Sequence, residues 1–376
     1  MRRIGIYIHY PFCIHKCPYC DFVSFRHPGK EDEDIYVEYL IKEIGMRKDD
    51  EFIVDTIYFG GGTPSLLLTR NLELILNFIS KNFKMDSNLE ITIEANPGTI
   101  NSFKLRHWTE LGINRVSLGV QSFLEKELKF LGRLYLPRDI YKSFNFLRDY
   151  GFNNINFDII YSLPGQDLMG LSFSLDKAVE LNPEHISLYN LMIEEGTQFY
   201  ERYKRGELKL LSDDEEAKLY EFSIDFLNSH GYTQYEISNF SKMGKFPCKH
   251  NLKYWRHEEF LGFGVSAYSF ISSCRYGNYK DLYVYYEKIR EGKFPFEEIE
   301  YLVDDDLAKD EIFVRLRLME GINMDEFKKK YNKDLREYFP NYEMFIKKNF
   351  LKEEKNYLKL TRKGLLLWNE ILLDIF

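Results

Sequence analysis

Strand-like and helix-like segments alternate regularly from residue 4 to about residue 230 of this 376-residue chain. Short hydrophobic runs recur along this region at Ile4–His9, Val54–Phe59, Leu89–Ala95, Arg115–Val120, Ile155–Tyr161 and His185–Asn190. Each run is too rich in apolar residues for a half-exposed strand, which favours buried parallel strands. The alternation predicts an α/β fold, and six strand–helix units predict a partial (βα)6 TIM-like barrel.

The stretches between the strands carry apolar residues at three- and four-residue steps, which is typical of amphipathic helices. They are Asp34–Met46, Arg70–Phe83, Asn101–Leu111, Arg138–Tyr150 and Gly170–Leu181, followed by a closing helix at Ser212–His230. Thr69 and Asn101 are predicted N-caps. Active sites of such barrels lie at the carboxyl ends of the strands, so residues that follow a strand are the first candidates for function.

The alternation then stops, which predicts a barrel domain at 1–231 and a smaller α+β domain at 232–376. A chain of this length also exceeds what one hydrophobic core usually serves. Helices are predicted at Ala308–Leu318 and Met324–Tyr331. The end of the chain predicts a strand, a cap at Thr361 and an amphipathic helix, for which a winged-helix-like arrangement is one solution.

Three of the five cysteines, Cys13, Cys17 and Cys20, lie in the loop after the first strand. Thiolates are soft ligands that select iron–sulfur clusters, zinc or Cu(I), and a cubane cluster takes four ligands. The C-x3-C-x2-C loop therefore predicts a [4Fe–4S] cluster with one iron open to another molecule. A zinc site that borrows His9 or His15 is the alternative, as are inert thiols.

Charge and hydropathy argue against several classes of function. The net charge of −8 and the pI of about 5.7 disfavour a general nucleic-acid or anionic-membrane surface. No run reaches the ~18 apolar residues of a membrane span, and the first residues lead into a strand rather than a signal peptide. Clustered cysteines fit a reducing compartment, so the expected location is the cytoplasm.

Gly60, Gly61, Gly62 and Thr63 directly follow the second strand. Three glycines allow the backbone to approach a ligand closely. The Lys-Ser/Thr ending of a phosphate-binding loop is missing. The segment is therefore predicted to be a ligand-contacting loop of another kind.

Polar residues occupy or follow the next strands at Glu94, Gln121, Arg133 and Asp158. Each alone is most simply a satisfied buried polar group or a surface ion pair. Because the carboxyl ends of parallel strands meet at one edge of a barrel, the four residues together predict a polar ligand site there.

The cysteine triad with Tyr19, followed by the glycine loop, resembles the radical S-adenosylmethionine superfamily. Further motifs resemble, within it, the group that contains oxygen-independent coproporphyrinogen dehydrogenases and the HemW haem chaperones. These motifs lie at 7–13, 60–65, 94–99, 119–122, 158–166 and 262–267. The resemblance implies a [4Fe–4S] cluster whose open iron holds S-adenosyl-L-methionine.

The resemblance also implies roles for single residues. Cluster-bound S-adenosylmethionine would contact Tyr7, Tyr19, Gly61 and Glu94. A second cofactor or substrate position would be lined by Gly62, Thr63, Gln121, Arg133 and Asp158.

The start of the chain separates two branches of this group. The dehydrogenases carry a fourth cysteine two positions after the third and a longer N-terminal lead. Here that position is Phe22, and twelve residues precede Cys13. Both differences favour the chaperone branch.

The segment 250–255 resembles the His-Asn-x-x-Tyr-Trp motif of the chaperones. The imidazole of His250 can ligate haem iron, and Tyr254 and Trp255 offer flat apolar surface to a porphyrin. The alternative is a hydrogen-bonded loop pair of His250 and Asn251 with the two aromatic residues in the core. Cys248 could compete as an axial thiolate, although a buried free cysteine is the commoner state.

The resemblance thus implies a haem chaperone that delivers haem to apo-haemoproteins and receives electrons from a donor such as a flavodoxin or ferredoxin. The resemblance leaves open whether it cleaves S-adenosylmethionine and implies no coproporphyrinogen dehydrogenase activity, and it would meet membranes only through acceptor proteins. The first alternative is the dehydrogenase itself, which converts coproporphyrinogen III by oxidative decarboxylation. The second is a zinc-stabilised binding module without radical chemistry.

One motif resembles a dinucleotide-binding sequence but is not predicted to bind a dinucleotide. The segment 262–267 fits the dinucleotide fingerprint G-x-G-x-x-A, and Asp281 follows at a suitable distance. The segment Tyr268–Cys274 predicts a strand, whereas a dinucleotide site needs a helix there. Tyr268 is instead an implied contact of the radical site, and Cys274 is expected to be structural.

Overall fold

The structure is a computed structural model that describes residues 1–27, 29–48 and 51–375. Its first strands are β1 (Arg2–Tyr10), β2 (Phe12–Cys13), β3 (Phe25–Arg26), β4 (Phe52–Gly61), β5 (Lys84–Ala95), β6 (Arg115–Gln121), β7 (Ile155–Tyr161) and β8 (His185–Asn190). The long ones lie side by side in the order β1, β4, β5, β6, β7, β8, and every neighbouring pair is parallel. The six predicted strands and the α/β fold are confirmed.

Helices connect these strands. They are α1 (Lys30–Met46), α2 (Thr69–Asn82), α3 (Ser102–Glu110), α4 (Glu125–Phe130), α5 (Pro137–Asp149), α6 (Leu168–Leu181), α7 (Gln198–Lys204) and α8 (Asp213–Ser229). The six predicted helices are confirmed, while α4 and α7 are too short to show a periodicity in the sequence. Asn101 caps α3 by accepting a hydrogen bond from the Lys104 N–H at 3.0 Å. The predicted cap Thr69 is wrong, because Leu68 holds the cap position.

Side chains of the parallel strands alternate between the helices and the barrel interior, as a two-residue period requires. On β7, Ile155 and Phe157 are fully buried in the hydrophobic core. Between and after them, Asn156 and Asp158 hydrogen bond to Ser117 on β6. The apolar faces of the strands therefore pack against the helices, and the side chains on the opposite faces make the interior of the barrel polar.

The sheet continues into the second half of the chain. This part contains β9 (Tyr232–Gln234), β10 (Asn239–Lys242), β11 (Phe260–Phe263), β12 (Tyr268–Ile271), β13 (Cys274–Asn278) and β14 (Phe296–Tyr301), with α9 (Lys249–Trp255) and α10 (Leu282–Arg290). The full strand order is β14-β13-β12-β11-β1-β4-β5-β6-β7-β8-β10-β9. β1 therefore pairs with β11 rather than β8, so the hydrogen-bonded barrel is partial.

The end of the chain has its own sheet and core. It contains α11 (Asp304–Arg315), β15 (Ile322–Asn323), α12 (Met324–Tyr331), α13 (Tyr342–Lys347), β16 (Leu351–Glu354), β17 (Tyr357–Leu360), α14 (Arg362–Leu366) and α15 (Trp368–Leu373). The strands form a sheet in the order β15-β17-β16 over a core that includes Ile312, Phe327 and Leu358. The two predicted helices are confirmed, as is Thr361, which caps α14 by accepting from the Gly364 N–H. The boundary at 231/232 and the winged-helix interpretation stay predictions.

Short 3-10 turns at Pro64–Leu66 and Leu335–Tyr338 complete the described elements. Across residues 1–27, 29–48 and 51–375, no helix has both the length and the apolar character needed to cross a bilayer.

Candidate cofactor site

The cysteine loop lies at the carboxyl end of β1. Cys13 ends β2 and is buried, whereas Cys17 and Cys20 are half-buried in the loop that follows. The Cys20 N–H donates to the Cys17 carbonyl at 3.1 Å and forms a tight turn between them. Burial, followed by smaller effects of Cys17 and Cys13, raises the pKa of Cys20 to about 11. The three thiols therefore lie within electrostatic range of one another.

The donor set of this loop fits a cluster better than a single ion. Within the described residues, no three His, Cys, Asp or Glu side chains are gathered closely enough to hold one metal ion. A cubane is larger, because each of its thiolates binds a different iron. The Nδ1 of His9 lies 3.1 Å from the Tyr7 hydroxyl and its Nε2 lies 2.9 Å from the Val23 carbonyl oxygen, so the ring would have to give up one of these contacts to bind zinc.

The glycine loop packs tightly under the cysteine loop. Gly61 has φ 109°, which L side chains rarely adopt, and a Cβ there would lie 2.6 Å from the His9 ring. At Gly62 a Cβ would lie 2.8 Å from the Phe12 carbonyl oxygen, and the Gly62 N–H donates to the Tyr10 carbonyl at 2.7 Å. Both glycines are therefore needed for the fold itself, so their ligand contacts remain predictions.

Glu94 lies inside the barrel next to this loop. Its Oε1 accepts from the Tyr58 hydroxyl at 2.9 Å, and its Oε2 accepts from the Gly61 N–H at 3.2 Å. Burial is the main reason that its pKa rises to about 8, and the nearby Asp158 raises it further. This shift favours the neutral form of Glu94, which can donate as well as accept hydrogen bonds.

Asp158 faces the same interior from β7. Its Oδ2 accepts from the Ser117 hydroxyl at 3.0 Å, and its Oδ1 accepts from the Asn156 side-chain amide at 2.8 Å. Burial raises its pKa above the ordinary range. The structure therefore brings Glu94 and Asp158 into one polar interior.

Arg133 connects the cysteine loop to the strand ends. It donates to the Tyr19 hydroxyl, and its guanidinium carbon lies 5.5 Å from the centre of that ring. Its Nη1 donates to the Asn96 side-chain carbonyl at 3.0 Å, and Asn96 in turn donates to Thr63. Arg133, Tyr19 and Thr63 were predicted separately, and the structure joins them in one network.

Gln121 and Tyr7 also line the interior. Gln121 is buried at the end of β6 with φ 63°, a strained value for a non-glycine residue, which often marks a functional site. Tyr7 stacks against Tyr58 with ring centres 6.2 Å apart, and its hydroxyl contacts His9. Gln121 ends β6 at the edge of the sheet that carries the cysteine loop, and Tyr7 lies three residues before the end of β1.

His250 lies on α9 against the amino-terminal half of the barrel. Its Nδ1 lies 2.8 Å from Thr56 Oγ1, its Nε2 lies 2.7 Å from the Tyr254 hydroxyl, and its N–H donates to Glu90 at 3.2 Å. The residue is 1% exposed, and its ring stacks on Tyr58 at 5.2 Å. Burial lowers its pKa to about 3, so the ring is neutral. In this arrangement neither ring nitrogen is free to bind iron.

Trp255 joins α9 to the C-terminal region. The Arg317 guanidinium lies 4.3 Å from the Trp255 ring and 4.5 Å from the Trp368 ring. Arg317 also lies 3.8 Å from the fully buried carboxylate of Glu236. The indole N–H of Trp255 is buried and has no hydrogen-bond partner in the described residues.

Several residues of these networks were not predicted, among them Asn96, Tyr58, Thr56 and Glu90. Tyr58 and Thr56 could have been found from the two-residue period of β4, which turns them toward the interior. Asn96 directly follows the strand that carries Glu94. The contact of Glu90 with α9 joins residues 160 positions apart, which no local pattern reveals.

The remaining cysteines and the dinucleotide motif have structural explanations. Cys248 is fully buried with its sulfur 3.8 Å from Glu90 Oε1, and Cys274 lies on β13. The segment after the glycine motif forms β12, so the predicted strand is confirmed. Asp281 caps α10 by accepting from the Tyr283 and Val284 N–H groups.

Comparison with known proteins gives matches along the chain. Residues 7–171 match the Radical SAM superfamily, and residues 302–367 match the HemN C-terminal domain. "Heme chaperone HemW" of Bacillus subtilis (strain 168) is 36% identical over 369 residues, covering 97% of this chain and 97% of that protein. The protein of the same name from Lactococcus lactis subsp. lactis (strain IL1403) is 35% identical, covering 97% of this chain and 95% of that protein.

Among solved structures, the Escherichia coli coproporphyrinogen III oxidase HemN, described as a radical SAM enzyme, superposes with a TM-score of 0.86. It is 25% identical, and the match covers 100% of this chain and 90% of HemN.

Proposed function

The chain belongs to the HemW haem chaperone family of the radical S-adenosylmethionine superfamily, and on that premise we propose that it binds haem and delivers it to apo-haemoproteins. The observation that carries the proposal is the match to proteins named as haem chaperones over nearly the whole of both chains. The family implies a [4Fe–4S] cluster and S-adenosylmethionine as cofactors.

Cys13, Cys17 and Cys20 would hold the cluster. When bound, the cluster supplies one electron at low potential to the sulfonium of S-adenosylmethionine. Burial raises the pKa of Cys13 and Cys20, so the thiols release protons when they take up iron. The chain's own part is to position the loop through the Cys20–Cys17 turn and the contact of Cys13 with Thr63.

The polar interior beneath the loop would hold S-adenosylmethionine. We assign its contacts to Tyr7, Tyr19, Gly61 and Glu94. The neutral Glu94 carboxyl suits ribose hydroxyls, because it can both donate and accept. A second cofactor or substrate position would be lined by Gly62, Thr63, Gln121, Arg133 and Asp158.

Phe22 disfavours the dehydrogenase alternative. Coproporphyrinogen dehydrogenases carry a cysteine at the corresponding position, whereas the Phe22 side chain is 59% exposed beside the cysteine loop. The fold is shared with HemN, but a shared fold does not set the reaction.

The haem ligand would be His250, with Tyr254 and Trp255 as its neighbours. Because both ring nitrogens are hydrogen bonded, iron ligation requires the imidazole to leave Thr56 or Tyr254 first. The proposal therefore includes an opening of α9 when haem binds.

The partners proposed are haem, apo-haemoproteins as acceptors, and an electron donor such as a flavodoxin or ferredoxin. We place the protein in the cytoplasm, without a nucleic-acid partner and with membranes reached only through acceptor proteins.

A transfer assay tests the function. Protein reconstituted anaerobically with iron and sulfide is loaded with haemin, freed of excess haem and mixed with an apo-haemoprotein, and the two are then separated. We expect haem to move to the acceptor.

A second assay tests the dehydrogenase alternative. The same preparation is incubated with coproporphyrinogen III, S-adenosylmethionine and a reductant. Formation of protoporphyrinogen without haem transfer would contradict the proposal and establish the dehydrogenase.

A further inference from the structure

A chain of polar side chains runs from Arg133 to the sulfur of Cys13. Arg133 Nη1 donates to Asn96 Oδ1 at 3.0 Å, and Asn96 Nδ2 donates to Thr63 Oγ1 at 3.2 Å. The Thr63 hydroxyl then donates to Cys13 Sγ at 3.4 Å. In each of these three hydrogen bonds, the donor lies on the Arg133 side and the acceptor lies on the side of the sulfur.

The chemistry of the side chains fixes the direction of these hydrogen bonds. An arginine side chain has donors only, so the atom of Asn96 that faces Arg133 must be the carbonyl oxygen. The amino group of Asn96 then faces Thr63, and the hydroxyl that accepts from it has its single proton left for the sulfur. The positive charge of Arg133 polarises each bond in turn.

The backbone holds Asn96 in place. Its carbonyl accepts from the Thr99 hydroxyl at 2.7 Å and from the Thr99 N–H at 3.1 Å. A Cβ at Gly119 would lie 2.8 Å from Asn96 Oδ1, so a larger residue there would displace the amide. Thr63 is fixed in turn by its N–H, which donates to the Phe12 carbonyl at 3.0 Å.

We propose that Asn96 is a positioning residue for the iron–sulfur cluster, because it holds the Thr63 hydroxyl in the orientation that donates to Cys13. Hydrogen bonds to the sulfurs of a cluster stabilise the added charge of the reduced state and so raise its reduction potential. The inference rests on cluster binding, which is part of the proposed function, and is independent of haem transfer.

The test is the midpoint potential of the reconstituted cluster, titrated with EPR detection and without S-adenosylmethionine, with iron content measured in parallel. Thr63→Val removes the donor to sulfur, and in Asn96→Asp the carboxylate accepts the Thr63 proton that would otherwise go to Cys13. Both variants should lower the midpoint. Thr63→Ser keeps the hydroxyl and should match the wild type. Ser223→Ala is the control, since Ser223 is buried on α8 and its hydroxyl donates to the Leu219 carbonyl, outside this hydrogen-bond network.

A double variant separates the hydrogen-bond chain from a simple charge effect. In the Thr63→Val background, Asn96→Asp should lower the midpoint by clearly less than it does alone, because only the added charge acts and there is no hydroxyl left to redirect. A drop of equal size in both backgrounds would show that only the added charge acts, and would overturn the role of Asn96. An unchanged midpoint in fully loaded Thr63→Val would overturn the bond to sulfur.

Iron uptake distinguishes the remaining outcomes. Loss of the cluster from Thr63→Val and Asn96→Asp, with full loading of Thr63→Ser and Ser223→Ala, supports the positioning role. Equal loss from all four variants contradicts it. A wild-type protein that takes up no iron would instead refute the proposed function.

Discussion

The two ends of the barrel interior present their candidate metal ligands in opposite states. At the carboxyl end, Cys17 and Cys20 are half-buried, and the cysteine loop is held mainly by backbone bonds. At the amino-terminal end, His250 is 1% exposed and both of its ring nitrogens are hydrogen bonded. The first end is arranged to take up a metal centre as it stands, whereas the second must open.

This difference has a thermodynamic consequence. When only a small fraction of a protein is in the binding-competent state, its apparent affinity falls by that fraction. Haem binding at His250 should therefore respond to changes that loosen α9, while cluster binding should not.

The largest effect is expected at the cysteine end. Cys17→Ala removes one of three ligands, and the iron content after reconstitution should fall from about four per chain to almost none. Cys274→Ala, whose thiol lies on β13, is the matched control and should load fully. Haem binding should persist in Cys17→Ala. If Cys17→Ala lost haem binding together with the cluster, the cysteine loop and the His250 site would not be independent.

Arg317→Met should weaken the contact between α9 and the C-terminal region. It removes the cation between Trp255 and Trp368 and leaves the buried Glu236 carboxylate unpaired. We expect a loss of about 3 kcal/mol in the free energy of unfolding and tighter haem binding, measured by urea titration and haemin titration.

The control for Arg317 is Arg256→Met. Arg256 pairs with Glu320 at 3.2 Å, but both side chains are largely exposed, so little stability should be lost. Weaker or unchanged haem binding in Arg317→Met would argue against the opening of α9.

Glu94 should make stability depend on pH. Its folded pKa is about 8, against an ordinary value of 4.5. Between these values the folded protein keeps a proton that the unfolded chain releases, so this contribution to stability falls as pH rises from 4.5 to 8. Glu94→Gln lacks the effect, apart from a constant offset. The stability of the variant relative to the wild type should therefore rise by about 4 kcal/mol over this range, measured by urea titration. A difference that does not vary with pH would show that Glu94 is ionised throughout.

Tyr254→Phe should give the smallest change. It frees Nε2 of His250 by removing one hydrogen bond, a change of about 1 kcal/mol, or roughly fivefold in haem affinity. Tyr232→Phe removes another buried hydroxyl, which donates to the Pro183 carbonyl, and controls for general loosening. Equal effects of the two substitutions would contradict a specific release of His250.

Local patterns predicted much of the fold and of the cysteine end. Dense apolar runs such as Ile155–Tyr161 became buried parallel strands, and Asn101 and Thr361 are caps as predicted. Thr69 failed as a cap because capping depends on where the backbone turns into the helix, which a residue type alone does not fix.

The state of the haem motif could not be predicted from the sequence. His250 is closed off by Thr56 and Glu90, which lie far from it in the chain and reach it only through the packing of α9 on the barrel. Trp255 likewise gains its partner Arg317 from a different region. Side chains that looked available in the sequence are engaged by long-range contacts in the structure.

Haemin titration of the anaerobically reconstituted protein, followed by Soret absorption in wild type and His250→Ala, directly tests whether His250 binds haem iron. We expect a saturable Soret change in the wild type that is clearly weakened in His250→Ala. The absence of a saturable change, or a change that is the same in both proteins, would contradict this expectation.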